Sequence, residues 1–323
     1  MHFIIASVLL QPDPPSSLDP RGPAAANIAE LWWIMFFLGA AIFVLVLALM
    51  VYGLFAPRQQ TADERSGNRW ILAGGIAMPA VVLAVVFGFA IRSAALTASE
   101  AGSGAFTIEV TGRRWWWEVN YPDQGIITAN EIHIPVGVPV ELLLRSGDVI
   151  HSFWVPQLHG KMDMIPGRDN TLIIWADEPG IYRGDCAEYC GLQHAKMHFM
   201  VIAQSEDDFN AWVVAQRQPV AAAAGDTTLR GQEVFIAAGC VYCHTIRGLD
   251  SGDVDRSTVD LGPDLTHLAS RTTIGAGIVA NNRGNLGGWI VNPHGMKPGV
   301  LMPATLLSGE DLQALLDYLG SLE

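Results

Sequence analysis

The chain has 323 residues, half of them hydrophobic, and a formal net charge of −13. This length is enough for two or three domains. A positive mean hydropathy argues against an entirely water-soluble protein. The excess of acidic residues argues against binding to nucleic acid or to an anionic membrane surface, and favours a basic partner.

Two apolar stretches near the N-terminus predict a pair of transmembrane helices. The first runs from Leu31 to Phe55 and the second from Ile71 to Ile91, and each has about the 20 residues that cross a lipid bilayer. The alternative, a buried helix of a soluble domain, is weak because uncharged stretches of this length are rare there.

The charges beside these stretches predict the orientation of the hairpin. Arg58, Arg65 and Arg69 lie between the two spans, whereas the N-terminal flank has only Arg21. By the positive-inside rule the short basic loop faces the cytoplasm, so both ends of the chain lie outside. Residues 1–10 are apolar but lack the basic start of a signal peptide, so their processing stays open.

The region after the hairpin predicts a β-sandwich. Small residues form a linker at 93–105, and from Phe106 the pattern changes to short alternating runs. Three of these runs, at 107–111, 138–144 and 171–175, are typical of strands and are separated by Pro-Gly and Pro-Asp turns. Several short strands at this spacing favour a sandwich or barrel.

One segment of this region carries two thiols, an imidazole and a thioether. The spacing is Cys-x3-Cys-x3-His-x2-Met, over Cys186, Cys190, His194 and Met197, and a further histidine, His151, lies upstream. Soft sulfur ligands with imidazole select copper over metals that prefer oxygen. Two cysteine sulfurs can bridge two copper ions, an arrangement suited to electron transfer. The alternatives are a disulfide and a zinc site, but neither gives the methionine a role.

A second cysteine motif follows a linker at residues 216–226 and a predicted helix at 228–236. Cys240, Cys243 and His244 form Cys-x-x-Cys-His, the signal for covalent attachment of c-type haem, with the histidine as axial ligand. A thioredoxin-like pair would need a βαβ context, and a zinc site would need further cysteines, which are absent after Cys243. The final segment, 311–319, has the apolar spacing of a closing helix.

The other axial ligand of such a haem is expected to be a methionine, which raises the reduction potential. We predict Met302, because Met302-Pro303 resembles the distal loop of small cytochromes c, where the ligand precedes a proline. Met296 is the alternative. His267, interpreted as a satisfied surface histidine, is a more remote one.

Residues 106–203 resemble the copper-A domain of cytochrome c oxidase subunit II, with His151 in a similar His-Ser-Phe-Trp-Val-Pro context. Together with the hairpin and the haem motif, the order of domains is similar to that of caa-type haem–copper oxidase subunits II with a fused cytochrome c. The resemblance implies a multi-domain protein with a transmembrane α-hairpin, an all-β cupredoxin-like sandwich and an all-α c-type cytochrome domain. The implied boundaries are 1–30 for an extracytoplasmic segment, 31–92 for the hairpin, 93–105 and 216–226 for linkers, 106–215 for the copper domain and 227–323 for the haem domain.

The same resemblance implies roles for individual residues. Trp115 matches the tryptophan through which electrons pass into the copper domain, with packing against the sandwich as the alternative. Two arginines precede it in place of the family's polar residues, so we expect the fused haem domain to dock there instead of a basic soluble cytochrome c. The Glu188 carboxylate resembles a ligand to a magnesium ion shared with subunit I. The implied copper ligands are His151, Cys186, Cys190, His194, Met197 and the backbone carbonyl of Glu188.

The resemblance implies the electron-input subunit of a proton-pumping terminal oxidase in a bacterial cytoplasmic membrane, with subunits I and III as partners. Electrons would come from a cytochrome c or a cytochrome bc complex, and dioxygen would be reduced on subunit I. The copper subunit of a nitric oxide reductase and a free membrane-anchored carrier are alternatives. Many subunits II have a glutamate near the start of the second span where this chain has Leu72, so the resemblance does not extend to a proton path at that residue.

Overall fold

The computed structural model describes residues 15–56, 64–99, 104–250 and 262–323. These residues form a helical hairpin, a β-sandwich and a small helical domain, which confirms the predicted fold class. Residues 1–14, part of the predicted N-terminal segment, lie outside the described residues, as does Arg58 in the loop between the spans.

Two long helical segments form the hairpin. Helix α1 spans Pro23–Phe55. The second segment runs from helix α2 (Glu64–Leu72) through a π-helical turn (Ala73–Ala77) into helix α3 (Met78–Ser99), and so extends into the predicted linker. Both segments are long and apolar enough to cross a membrane.

Helix α1 begins well before the predicted start at Leu31, because its first turns pack against the sandwich. Proline suits the first helical position, which needs no amide donor. Ala25 is buried and its backbone N–H donates to the carbonyl of Leu158 at 3.3 Å. A Cβ at Gly22 would lie 2.5 Å from the carbonyl oxygen of Trp175, so only a small residue permits this approach. The buried alanines of these first turns are too weakly hydrophobic to mark a transmembrane helix, so the sequence did not predict this part of α1.

The strands of the sandwich are β1 (Thr107–Arg113), β2 (Trp116–Tyr121), β3 (Ile126–Ala129), β4 (Glu131–Pro135), β5 (Val140–Ser146), β6 (His151–Trp154), β7 (Met162–Met164), β8 (Asn170–Ile174), β9 (Gly180–Cys186) and β10 (His198–Gln204). They form two five-stranded sheets, with strand orders β3-β2-β1-β5-β8 and β4-β10-β9-β6-β7. Alternate residues of β1 and β2 point into the core, where Trp117, Tyr121, Phe153 and Phe199 are fully buried. The three predicted strands correspond to β1, β5 and β8.

A helix that the sequence analysis missed, α4 (Glu206–Arg217), closes the sandwich. The Ser205 side chain accepts a hydrogen bond from the backbone N–H of Asp208, which caps the helix. Phe209 and Val213, one turn apart, are buried, and the Phe209 ring stacks on Phe106. The serine followed by three acidic residues is the signal that would have predicted this start.

In the part of the last domain that the structure describes, the regular elements are helices and one short hairpin. The predicted helices at 228–236 and 311–319 are confirmed, and they pack together so closely that a Cβ at Gly231 would lie 2.1 Å from the carbonyl oxygen of Ala314. Phe235, Leu315 and Tyr318 belong to the core of this domain. The elements are α5 (Asp226–Ala237), β11 (Thr273–Ile274), β12 (Val279–Ala280), α6 (Arg283–Val291), α7 (Pro293–Met296) and α8 (Gly309–Gly320).

Candidate copper and haem sites

The predicted copper ligands converge at one end of the sandwich. Strand β6 begins with His151, strand β9 ends with Cys186, and the loop between β9 and β10 carries Cys190 and His194. The two sulfur atoms are 3.8 Å apart, whereas a disulfide would bring them to about 2.05 Å. His151 Nδ1 lies 3.9 Å from the Cys186 sulfur, and His194 Nδ1 lies 3.8 Å from the Cys190 sulfur.

Two further donor atoms complete the set. The Met197 sulfur lies 3.8 Å from the Cys190 sulfur, and the carbonyl oxygen of Glu188 lies 3.2 Å from the Cys186 sulfur. Each cysteine therefore has one imidazole and one weaker donor beside it. This chemistry fits two copper ions that share a pair of thiolates. Among the described residues, the cluster that could hold a metal ion through three such side chains is His151, Cys186 and Cys190.

The two thiols share a hydrogen bond that separates their acidities. The contact with Cys190 lowers the pKa of the Cys186 thiol to about 3, and the same contact raises the pKa of the Cys190 thiol. The shared hydrogen bond thus favours loss of the first proton from Cys186 rather than from Cys190. A bound cation would favour loss of the second proton, since thiolates rather than thiols ligate metals.

Asp148 orients His151, a role that the sequence analysis missed. Its Oδ1 lies 2.8 Å from His151 Nε2, so this nitrogen is occupied and Nδ1 is left toward Cys186. Burial opposes a charge on the imidazole, but Asp148 and Cys186 together raise the pKa of His151. The backbone N–H groups of Val149 and Arg114 hold the carboxylate at 2.6 and 2.7 Å. The sequence signal was an acidic residue three positions before the histidine.

Trp115 lies directly against the segment between β9 and β10, residues 187–197, here called the copper-ligand loop. Its indole N–H donates to the carbonyl of Cys190 at 3.1 Å. A Cβ at Gly191 would come within 3.2 Å of the ring, and the φ of +114° at this residue also favours glycine. Trp115 is only 8% exposed, and its backbone carbonyl accepts a hydrogen bond from Lys297 of the haem domain at 2.7 Å. Trp117 packs inside the sandwich core, with its ring centroid 4.9 Å from that of Phe199.

The haem motif lies directly after α5. Cys240 begins a 3-10 turn and Cys243 directly follows it, and both thiols are free and half-buried. The backbone N–H of His244 donates to the Cys240 carbonyl at 2.9 Å. His244 Nδ1 lies 2.8 Å from the Pro263 carbonyl, which leaves Nε2 free for a metal. Burial lowers the pKa of His244 and so favours the neutral, ligating form. These residues fit covalent haem attachment.

The residues considered for the other axial position lie in different surroundings. Met302 is half-buried in the segment between α7 and α8, and its role as axial ligand stays a prediction. The Met296 methyl group would lie 2.7 Å from a Cβ at Gly288, so it packs on α6. His267 is buried rather than at the surface as predicted, because its Nε2 contacts the carbonyls of Gln216 and Gln218, at 3.1 Å each.

The Glu188 carboxylate pairs with a lysine side chain. Its Oε2 lies 3.8 Å from Lys161 Nζ, and this ammonium also contacts Asp163 at 3.3 Å. The Glu188 side chain is 44% exposed, so its oxygens are accessible to another subunit. A carboxylate is a suitable ligand for magnesium, although in the chain alone a lysine neutralises it.

Comparisons with known proteins agree with this arrangement. Residues 124–204 match the family described as cytochrome C oxidase subunit II, periplasmic domain, and residues 228–323 match cytochrome c. The chain is 34% identical to cytochrome c oxidase subunit 2 of Alkalihalophilus pseudofirmus, over 95% of this chain and 91% of that protein. The chain belongs to the cytochrome c oxidase subunit II family.

Other relatives cover smaller parts of this subunit II. Cytochrome c oxidase subunit 2 of Bacillus sp. (strain PS3) is 35% identical over 67% of this chain and 62% of its own length. A crystal structure of the periplasmic domain of subunit II of cytochrome oxidase from Bradyrhizobium japonicum is 30% identical, with a TM-score of 0.35. It covers 35% of this chain and 94% of that chain.

Membership of this family settles the general function. The subunit II described here is an electron-transfer subunit of a terminal oxidase and associates with a subunit I. It is a membrane protein with an extracellular domain, as its two apolar helices and its relatives indicate. The two matched families suggest that it carries copper and haem.

Proposed function

We propose that this subunit II relays electrons from a cytochrome c or a cytochrome bc complex to subunit I, where dioxygen is reduced to water with proton pumping. The relay would use a covalent haem c on Cys240, Cys243 and His244, with Met302 as axial ligand, and a dinuclear copper-A centre. The observation that carries the proposal is the pair of cysteine sulfurs 3.8 Å apart with one imidazole beside each.

The residues around the copper ligands support rapid electron transfer. When bound, the copper pair and the haem supply reversible one-electron storage. The chain encloses the soft donors, since Cys186 is 6% exposed, Cys190 3% and Met197 0%. Asp148 and the sandwich core leave His151 little freedom to move. Donors that are buried and held in place need little rearrangement when the charge of the site changes.

The hairpin supports a location in a bacterial cytoplasmic membrane. Both helical segments would cross the bilayer, with the loop between them in the cytoplasm and both soluble domains on the periplasmic or outer side. Subunit III would join subunit I in the same membrane. A magnesium ion between Glu188 and subunit I would displace Lys161 from the carboxylate, since both cations compete for the same oxygens.

The test is the copper content and the copper EPR spectrum of the purified oxidase. We expect two copper ions per covalent haem in this subunit, with one unpaired electron shared by both coppers. Cys186→Ser should abolish the shared signal. Cys240→Ser is the matched control, because it should disturb haem attachment and leave the copper signal intact. A mononuclear copper signal, bound zinc or a disulfide between Cys186 and Cys190 would contradict the proposal.

The same purification separates the alternatives. A free membrane-anchored carrier would come out alone, and the copper subunit of a nitric oxide reductase would come out with a partner that reduces nitric oxide. An oxidase subunit should come out with a subunit I that consumes dioxygen.

A further inference from the structure

A short part of the haem domain, the docking loop (residues 296–299), rests on the copper-ligand loop. Lys196 Nζ donates to the carbonyl of Met296 at 3.0 Å, and the Gln193 side-chain amide donates to the carbonyl of Pro298. A Cβ at Gly299 would lie 2.3 Å from the Leu192 side chain, and the φ of +83° also favours glycine there. The two loops therefore meet at close range.

Lys297 is the buried centre of this contact. It is 1% exposed, and its Nζ donates to the carbonyls of Trp115 at 2.7 Å and Gly275 at 2.9 Å. Lysine is seldom fully buried, because the ammonium loses its hydration unless polar partners replace it. Here the partners are two backbone carbonyls, one from each domain. The lysine therefore joins the haem domain to Trp115, whose ring in turn donates to the carbonyl of Cys190.

A second polar contact joins the domains along β4. The Glu131 carboxylate is 3% exposed and accepts hydrogen bonds from the backbone N–H groups of Thr272, at 2.8 Å, and Thr273, at 3.2 Å. The Arg271 guanidinium, itself buried, reaches the Thr128 hydroxyl at 3.3 Å. Buried polar groups that cross the boundary keep their hydrogen bonds in only one relative arrangement of the two domains, so these contacts favour that arrangement.

We propose that Lys297 is a positioning residue for electron input, which holds the haem domain over Trp115 and keeps soluble donors from reaching that residue. The proposal rests on the function proposed above. A donor then has to dock on the haem domain, and the fused domain stays in place between turnovers. Trp115 is 8% exposed in this arrangement, which leaves too little surface for a second protein to contact.

The test compares Lys297→Met with Arg230→Met in the assembled oxidase. Arg230 is an exposed residue of α5 that pairs with Asp311, so its replacement also removes a long basic side chain from the haem domain but leaves the docking loop untouched. Hydrogen exchange of the backbone at residues 115–117 and 296–299 is the first readout. We expect about a tenfold rise in exchange with Lys297→Met and no rise with Arg230→Met.

The second readout is transfer between the two redox centres. In Lys297→Met we expect haem-to-copper transfer after flash reduction to slow about tenfold, because the docked arrangement is populated less. Direct reduction of the copper site by an added soluble cytochrome c should become detectable. The copper EPR and haem absorption spectra should stay as in the wild type, which excludes damage to either centre.

A second variant keeps the proposal testable if Lys297→Met fails to assemble. Gly299→Ala places a methyl group against Leu192 and should open the same contact. Unchanged exchange at residues 115–117 and unchanged transfer in the variant that assembles would overturn the proposal. Absence of the copper pair in the wild type would instead overturn the proposed function. Failure of the docking proposal can be told apart from failure of the proposed function, because hydrogen exchange at the contact does not depend on bound metals.

Discussion

Asp148 shows how one side chain outside the copper motif controls the site. It occupies His151 Nε2 at 2.8 Å and so decides which imidazole nitrogen is directed at the sulfur of Cys186. Partners of this kind fix the orientation of ligand histidines, and their removal typically weakens metal binding 10- to 100-fold.

Asp148→Ala should therefore lower copper affinity by roughly one to two orders of magnitude, measured by titration against a competing chelator. Asp169→Ala is the control, since Asp169 is an exposed carboxylate that pairs with Arg145 away from the ligands. Equal copper affinities in the two variants would show that the hydrogen bond to His151 has no effect on the metal.

The titration of Lys297 predicts a pH dependence of stability. Burial lowers its pKa to about 7, whereas an unfolded lysine has a pKa of about 10.4. Between these values the unfolded chain binds a proton that the folded chain has released, so the free energy of unfolding rises with pH. The neutral amine retains two N–H donors, which match the two carbonyls it contacts.

The midpoint of thermal unfolding of the haem domain in the full subunit should thus rise between pH 7 and about pH 9 relative to that of Lys297→Met. Haem absorbance at a series of pH values measures it. Parallel curves for the two proteins would show that Lys297 does not titrate in this range.

At the scale of elements, the packing of α5 on α8 depends on one small residue. A Cβ at Gly231 would lie 2.1 Å from the carbonyl oxygen of Ala314 and 2.6 Å from the Tyr318 Cβ, and neither atom can move without shifting α8. Gly231→Ala should destabilise the haem domain by about 1–3 kcal/mol, as overpacked cores do. Gly320→Ala, with no atom within 4 Å, is the matched control on α8 and should be neutral or slightly stabilising in thermal unfolding.

The elements that the sequence predicted are those with strong local patterns. The alternation of β1 and the apolar spacing of α8 arise from neighbouring residues, so they are visible without tertiary contacts. The early start of α1 was missed because alanines that pack against the sandwich do not resemble a membrane span. Helix α4 was missed because the helix runs directly into the predicted linker at residues 216–226, whose alanines and prolines are typical of an irregular segment.

At the scale of the whole molecule, the proposed orientation makes the loop between the spans cytoplasmic. A cysteine placed at Gln59, in that loop, should react with a membrane-impermeant reagent only after the cells are opened. A cysteine at Asp123, in the exposed turn after β2, should react in intact spheroplasts. Labelling in the reverse pattern would invert the topology.

The sequence by itself determined which residue types stand at the two proposed centres, and so the chemistry predicted for them. Cys186, Cys190, His194 and Met197 lie within one short segment that joins β9 to β10, and Cys240, Cys243 and His244 lie within five residues, so their spacing alone predicts that they converge. The tertiary structure decided which other side chains orient the proposed ligands and how the two domains meet. Asp148 reaches His151 through the strand geometry, and Lys297 meets Trp115 across 182 residues of chain. Such contacts depend on how separate elements pack, and no local pattern of residues specifies that packing.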